Sequence, residues 1–255
     1  MAGDLEGKVI VVTGGADGIG RECALAYVRE GARVAILDNN LEAAKATAAE
    51  LGVPSVALFA DVADGISVQA ALTSAWREFG RIDAVHNNAG IASPSKPLHE
   101  TTEDEWEKLQ HTNVKSVYWT TRYGFEALTA SKGCILNTAS MVGLIGQQDH
   151  AAYVATKGAM ISLTKAMAAD YAKYSIRVNA ICPAGVWTPM LERWCAEQAD
   201  PGSIRNYLDD IHLLGTCPRG DVVADAAVFL LSSKARFITG CILPVSGGAE
   251  LGYRR

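Results

Sequence analysis

The 255-residue sequence predicts a single α/β domain, a doubly wound parallel sheet of seven strands with helices on both faces. Three observations carry this expectation. Seven short runs are apolar and rich in β-branched residues, the pattern of strands buried on both faces. Stretches of helical spacing lie between most of them, as the crossovers of a parallel sheet require. A glycine cluster, Gly14 to Gly20, follows the first run and opens the first helix, so the strand turns tightly into its crossover.

The elements follow in order. Lys8–Thr13 (KVIVVT) is the first strand, and 21–29 has helical spacing that stops at Gly31. Arg33–Leu37 is the second strand and Leu41–Leu51 the second helix. Ser55–Ala60 and Ile82–His86 are the third and fourth strands. Thr102 to Glu105 form a capping box ahead of an amphipathic run over 102–130. Cys134–Thr138 is the fifth strand, a long helix starts near Ala151, and Ile176–Ile181 is the sixth strand. Thr188-Pro189 is an N-cap with proline at the first helical position. Residues 189–214 read as helix broken at Asp200-Pro201-Gly202. This is the longest excursion from the alternation, so a lid is expected over about 186–214. Ile242–Val245 is the last strand. With right-handed crossovers these elements make a Rossmann-like fold, one domain over 1–255.

Composition narrows the function. Apolar residues at 49% and charged residues at 20% exclude a disordered or fibrous chain. The net charge of −5, with no basic cluster, argues against nucleic acid as a partner. No uncharged apolar run reaches the ~18 residues a membrane span needs. Cysteines at 23, 134, 182, 195, 217 and 241 form no CxxC spacing, and the five histidines form no HExxH. No metal site is expected. Met1 to Gly7 holds Asp4 and Glu6 and no apolar signal core. The expectation is a cytoplasmic protein with reduced, packed cysteines.

The glycine cluster is the first candidate site. In Gly14-Gly15-Ala16-Asp17-Gly18-Ile19-Gly20 the glycines let a pyrophosphate approach the helix N-terminus, where unpaired N–H groups and the dipole favour anions. Asp38 lies 18 residues beyond Gly20, at the end of the second strand. A carboxylate there accepts both ribose hydroxyls of an adenosine and repels a 2′-phosphate. No Arg or Lys stands at 39 or 40 to offset that repulsion, so the cofactor expected is NAD rather than NADP. The plain alternative for Asp38 is a helix cap.

Tyr153 and Lys157, at i and i+4, share one helix face. An ammonium beside a phenol favours the phenolate and lowers its pKa. Such a phenol can take a proton from an alcohol as hydride leaves. Ser140, just past the fifth strand, stands at the C-terminal edge of the sheet where ligands bind and can hold the substrate oxygen.

With these residues the chain resembles the short-chain dehydrogenase/reductase family, of the shorter single-domain type. The resemblance rests on TGGADGIG at 13–20, Asp38, Asp61-Val62, Asn87-Asn88-Ala89-Gly90, Asn113, Ser140, Tyr153-x-x-x-Lys157 and Pro183 through Thr188. It implies that Asp61 and Val62 contact adenine and that Asn87 to Gly90 support the central strand and cofactor. It further implies that Asn113 anchors a water in a proton relay through Lys157, and that Val186 and Thr188 hold the nicotinamide carboxamide. Pro183 is followed by Ala184 where the family usually has glycine, so the nicotinamide loop is expected to differ locally. Family members are usually homotetramers, built through the helices around 102–130 and 151–174 and the last strand.

For the substrate, residues 91–96, 141–150 and 184–214 should face the nicotinamide. They offer Ser93, Ser95, Gln147, Gln148, His150, Trp187, Trp194 and Asn206, which suit a neutral hydroxylated ring: hydrogen bonds at its edge and indole against its face. Arg193 and Arg205 are the basic residues of the lid, so an acidic or acyl-carrier substrate is disfavoured unless they turn inward. Val142-Gly143-x-Ile145-Gly146-Gln147, YVATKGA at 153–159, Trp187-Thr188-Pro189 and the tail 248–253 are similar to the L-fucose dehydrogenase branch, which also holds a 17-beta-hydroxysteroid dehydrogenase. The leading expectation is oxidation of an L-fucose-like aldose to a lactone. The alternatives are a hydroxysteroid, dihydrodiol or other small cyclic alcohol or ketone, and an NAD sensor without turnover. The presence of Asn113, Ser140, Tyr153 and Lys157 together disfavours the sensor. The tail at 249–255 is expected to reach a neighbouring subunit's pocket.

Overall fold

The computed structural model describes residues 3–52, 55–198 and 200–251. Seven parallel strands form one sheet in the order β3-β2-β1-β4-β5-β6-β7. They are β1 (Val9–Thr13), β2 (Arg33–Asp38), β3 (Ser55–Phe59), β4 (Ala84–Asn87), β5 (Cys134–Thr138), β6 (Arg177–Pro183) and β7 (Ile242–Val245). The strand order reverses between β1 and β4, so a crevice opens at their carboxyl ends.

Period-two alternation divides each buried strand between two cores. Ile10, Val12, Val34 and Ile36 point to one layer and pack with α1 (Gly18–Arg29), α2 (Leu41–Leu51) and α10 (Asp221–Leu231). Val11, Ala35, Leu37 and Val85 point to the other and pack with α3 (Gly65–Phe79), α5 (Ser116–Ser131) and α7 (Ala151–Tyr171). Both faces of the sheet are therefore dry, which is why the strands carry no alternation of polar residues.

Several helix ends fall where the sequence places them, and others do not. Thr102 makes a complete capping box with Glu105 ahead of α4 (Glu103–Leu109). The first helix begins at Gly18 rather than Arg21, because Asp17 caps it. The amphipathic run at 102–130 is not one continuous helix: α4 passes through a π-helical turn, Gln110–Lys115, before α5. Such inserted turns are common at functional sites, and this one carries Asn113. A short α6 (Val142–Ile145) follows β5.

The lid forms two helices, α8 (Pro189–Ala196) and α9 (Pro201–Ile211), each with proline in its first turn and capped by Thr188 and Asp200. They enclose a small apolar core of Cys195, Leu208 and Cys217 with Trp187, Leu191 and Trp194 against it. All six cysteines are free thiols, five of them buried. Among the described residues no helix is long and apolar enough to cross a membrane.

Candidate active site

The glycine turn is clamped from the neighbouring strand. Gly14 (φ +61) and Gly18 (φ +54) lie in the left-handed region, which suits glycine. The Thr13 hydroxyl oxygen accepts the N–H groups of Asn88 at 3.0 Å and Ala89 at 3.1 Å. The Asn88 amide in turn donates to the carbonyls of Thr13 (3.2 Å) and Gly14 (3.0 Å). The Asp17 carboxylate accepts the Gly18 N–H at 2.6 Å, so its role here is to cap the helix. The N–H groups of Ile19 and Gly20 have no acceptor among the described residues and stand at the positive end of α1.

Asp38, at the end of β2, is half-buried. Its Oδ2 accepts the Ala16 N–H at 3.1 Å and its Oδ1 the Asn40 N–H at 2.9 Å, leaving further lone pairs on both oxygens. The cap of α2 is Asn40, not Asp38. Asp61 and Val62 follow β3, whose register sets Phe59 beside Asp38. Asp61 is exposed and Val62 buried. Orphan helix N–H groups beside a carboxylate at the next strand end fit a dinucleotide: one set for pyrophosphate, the other for ribose hydroxyls.

On the opposite side of the turn, a Cβ added to Gly18 would come within 3.3 Å of Thr188 Cγ2, so the loop after β6 reaches the glycine turn. Thr188 also caps α8 through the Leu191 N–H at 3.2 Å, and Val186 is buried. The Pro183 carbonyl accepts the Met141 N–H at 2.8 Å. Ala184 does not adopt a positive φ, so alanine in place of glycine brings no backbone strain there.

Four side chains meet at the crevice floor. Lys157 is buried, and its ammonium donates to the Thr138 carbonyl at 2.8 Å and stands 5.7 Å from the Tyr153 ring centroid. Burial pushes the Tyr153 phenol up to about 12, and the nearby Ser140 hydroxyl, which itself donates to the Pro183 carbonyl at 3.4 Å, pulls it partly back. Burial lowers the Lys157 ammonium to about 8. The depressed phenol expected from the i, i+4 pair is thus not the state of the protein alone, because desolvation outweighs the lowering by Ser140. Gly90 lacks a side chain where one would meet Asn113 Oδ1 at 3.2 Å and Lys157 Nζ at 3.6 Å. The Asn113 side chain accepts the Ile91 N–H at 2.8 Å and donates to the Ile91 carbonyl (2.9 Å) and Thr156 Oγ1 (3.0 Å). Both amide hydrogens are therefore used, one in fixing the loop after β4 and the other in tying it to α7. A water held by Asn113 would have to use its main chain or the remaining lone pair of Oδ1.

The expected substrate wall divides. His150 is buried with its ring centroid 6.4 Å from Tyr153 and 6.4 Å from Trp194, so both belong to the crevice. His150 precedes α7 but makes no side-chain cap there. Gln147 is exposed. Trp187 packs in the lid core under the Arg205 guanidinium, 4.8 Å from the ring centroid. Thr13, Thr138 and Thr156 hold the site together. Thr13 stands at the head of the glycine cluster, but nothing local in the sequence marks the other two.

Residues 14–250 match the family profile described as enoyl-(acyl carrier protein) reductase. The chain belongs to the short-chain dehydrogenase/reductase family. Within that family it is 40% identical over 250 residues to bovine (Bos taurus) L-fucose dehydrogenase, covering 98% of this chain and 92% of that one. It is also 40% identical over 247 residues to the 2,5-dichloro-2,5-cyclohexadiene-1,4-diol dehydrogenase of Sphingobium indicum, covering 96% and 98%. Its fold is shared with a 3-ketoacyl-(acyl-carrier-protein) reductase from Brucella melitensis solved in complex with NADH. The TM-score is 0.90 at 33% identity, over 96% of this chain and 99% of that chain. The short-chain dehydrogenase/reductase architecture thus extends over nearly the whole sequence.

Proposed function

We propose that this protein is an NAD-dependent dehydrogenase that oxidises a secondary ring hydroxyl of a small neutral molecule, an L-fucose-like aldose in the first instance. The observation that carries the reading is the convergence of Ser140, Tyr153 and Lys157 at the sheet's carboxyl edge, with the Lys157 ammonium 5.7 Å from the phenol ring centroid. Bound NAD supplies the hydride acceptor. Ser140 holds the substrate hydroxyl oxygen, and Tyr153 receives the hydroxyl proton as the carbon–hydrogen bond breaks, so that C1 of an aldose becomes a lactone carbonyl. Lys157 keeps the phenol in place and faces it with positive charge. Asn113 fixes the loop at Gly90 and Ile91 that closes one side of the cluster.

For the cofactor, Gly14, Gly18, Ile19 and Gly20 take the pyrophosphate with Asp17 as the cap, and Asp38 takes the adenosine ribose. Asp61, Val62 and the Asn88-Ala89-Gly90 segment line the adenine and ribose side. Pro183, Val186 and Thr188 take the nicotinamide. Two similar proteins carry names of hydroxylated six-membered rings, a sugar and a cyclohexadiene diol, which supports a neutral ring as substrate. The lid arginines agree: Arg205 is stacked on Trp187 and Arg193 is exposed. His150 and Trp194 are assigned to the substrate wall, and Gln147 and Trp187 to supporting positions at its edge. A cyclic diol is the second reading, favoured by the Sphingobium relative.

The enzyme acts in the reducing cytoplasm, in keeping with six free thiols. It assembles as a tetramer through the apolar groove of α5 and α7 lined by Val117, Phe125, Leu163, Met167 and Tyr171. The tail at 249–255 is proposed to reach a neighbouring subunit's pocket, and of it residues 252–255 lie outside the described residues. The deciding experiment measures NADH formation with aldoses, cyclic diols, steroids and simple alcohols, using NAD and NADP in parallel. Turnover of an aldose with NAD is expected. Turnover confined to steroids or acyclic alcohols would refute the reading. Sedimentation of the same preparation tests the tetramer.

A further inference from the structure

Ser95, Trp194 and His150 come from three distant parts of the chain, the loop after β4, lid helix α8 and the residue before α7, and meet in one hydrogen-bonded chain. Trp194 Nε1 donates to Ser95 Oγ at 3.2 Å. Ser95 Oγ lies 2.8 Å from His150 Nε2, and His150 Nδ1 lies 3.0 Å from the Gln148 carbonyl oxygen. The polarity of this chain has one solution when the imidazole is neutral. A carbonyl only accepts, so Nδ1 carries the proton and Nε2 accepts. The Ser95 hydrogen therefore goes to Nε2, and a Ser95 lone pair takes the indole N–H.

We propose that Ser95 is a positioning residue that fastens the lid over the substrate and selects for hydroxyl groups. Its single hydrogen is committed to His150 and one lone pair to Trp194. What Ser95 has left for a ligand is one lone pair, which can receive a hydroxyl proton but repels a carboxylate or phosphate oxygen. The same atom ties α8 to the floor of the site, because His150 stands against Tyr153 at 6.4 Å between ring centroids. Lid closure and the choice of a hydroxylated neutral substrate are thus one contact. The selectivity half rests on the dehydrogenase reading above, and the lid half does not.

The test uses the full-length protein with Ser95→Ala, Ser95→Thr and Trp194→Phe. Hydrogen–deuterium exchange of 189–196, without substrate, should rise several-fold in Ser95→Ala and Trp194→Phe, with the β1 and β5 amides unchanged. Ser95→Thr, which keeps the hydroxyl, should restore protection. With the alcohol substrate, Ser95→Ala should raise KM about tenfold with kcat within about twofold, the scale of one lost hydrogen bond. Unchanged lid exchange in both Ser95→Ala and Trp194→Phe overturns the fastening. Unchanged KM, or an equal loss in kcat, overturns the substrate role. Altered lid exchange in a protein that oxidises no alcohol would sink the dehydrogenase reading and leave the fastening in place. Trp194→Phe keeps the ring packing, so it remains a fair test if Ser95→Ala folds poorly.

Discussion

Lys157 faces Tyr153 across 5.7 Å, ammonium to ring centroid, yet directs a hydrogen bond to the Thr138 carbonyl 2.8 Å away. Burial dominates both groups and moves them in opposite directions, the phenol up to about 12 and the ammonium down to about 8. Without bound ligands the phenol is therefore protonated at neutral pH, the form needed to give a proton to a carbonyl.

Alcohol oxidation needs that proton removed, so kcat/KM for oxidation should rise with pH across the neutral range, and the reverse reduction should fall. Ser140 lowers the phenol's pKa. Ser140→Ala should then displace the oxidation profile to higher pH as well as lower its height. Tyr153→Phe should lose about 10²–10⁴-fold in kcat while NADH binding, read by fluorescence, persists. A Ser140→Ala profile with unchanged midpoint would remove the hydroxyl from the proton-transfer account.

Cofactor choice should turn on Asp38. Its carboxylate keeps lone pairs beyond the two main-chain N–H groups it accepts. Asp38→Ala combined with Asn39→Arg replaces repulsion of a 2′-phosphate by attraction. The NADP KM is expected to fall at least about tenfold and the NAD KM to rise similarly, in line with a charge-assisted contact. Steady-state kinetics with both cofactors checks this, and an unaltered ratio would place the adenosine ribose elsewhere.

The strands were readable because burial on both faces leaves an unbroken apolar run. β5 and β7 lie where their residues alone put them, 134–138 and 242–245. The π-helical turn at 110–115 was not, because one inserted residue barely disturbs the apolar spacing of a 102–130 amphipathic helix. Tyr153, Lys157 and Ser140 were legible as chemistry. Their pKa directions were not, since desolvation depends on what covers the crevice. Asn88 reads locally as a turn residue, and only the packing of β4 beside β1 reveals it as the clamp on Thr13 and Gly14. The contact of Ser95 with Trp194 joins positions 99 residues apart, beyond the reach of any local pattern.

Two glycines of the turn should respond differently to alanine. A Cβ at Gly20 would lie 2.1 Å from the Gly14 carbonyl oxygen and 2.5 Å from Asn88 Nδ2, so backbone must move. At Gly18 it would meet Thr188 Cγ2 at an admissible 3.3 Å, leaving chiefly the positive φ of 54° as strain. Gly20→Ala is expected to destabilise by roughly 3 kcal/mol and Gly18→Ala by roughly 1 kcal/mol. Urea unfolding of both variants measures the difference, and equal losses would contradict the packing described.

Acid sensitivity should centre on His86. Its ring is fully buried in β4, with Nδ1 3.0 Å from the Tyr27 hydroxyl and Nε2 2.8 Å from Thr138 Oγ1. The Thr138 hydroxyl can donate onward to Asn88 Oδ1 at 3.4 Å, which makes Nε2 the protonated nitrogen and Nδ1 the acceptor for Tyr27. Burial lowers the His86 pKa to about 3 from 6.5. Between those values the unfolded chain binds a proton that the folded chain refuses, so stability falls as pH drops through this window. The slope approaches about 1.4 kcal/mol per pH unit for this one group. In His86→Gln, the loss of unfolding free energy between pH 6.5 and pH 5 should be smaller than in the wild type by about 2 kcal/mol. Parallel urea-unfolding curves at the two pH values decide it. Identical pH dependence in both proteins would mean that His86 takes up its proton in the folded state and that the Tyr27–His86–Thr138 chain tolerates the charge.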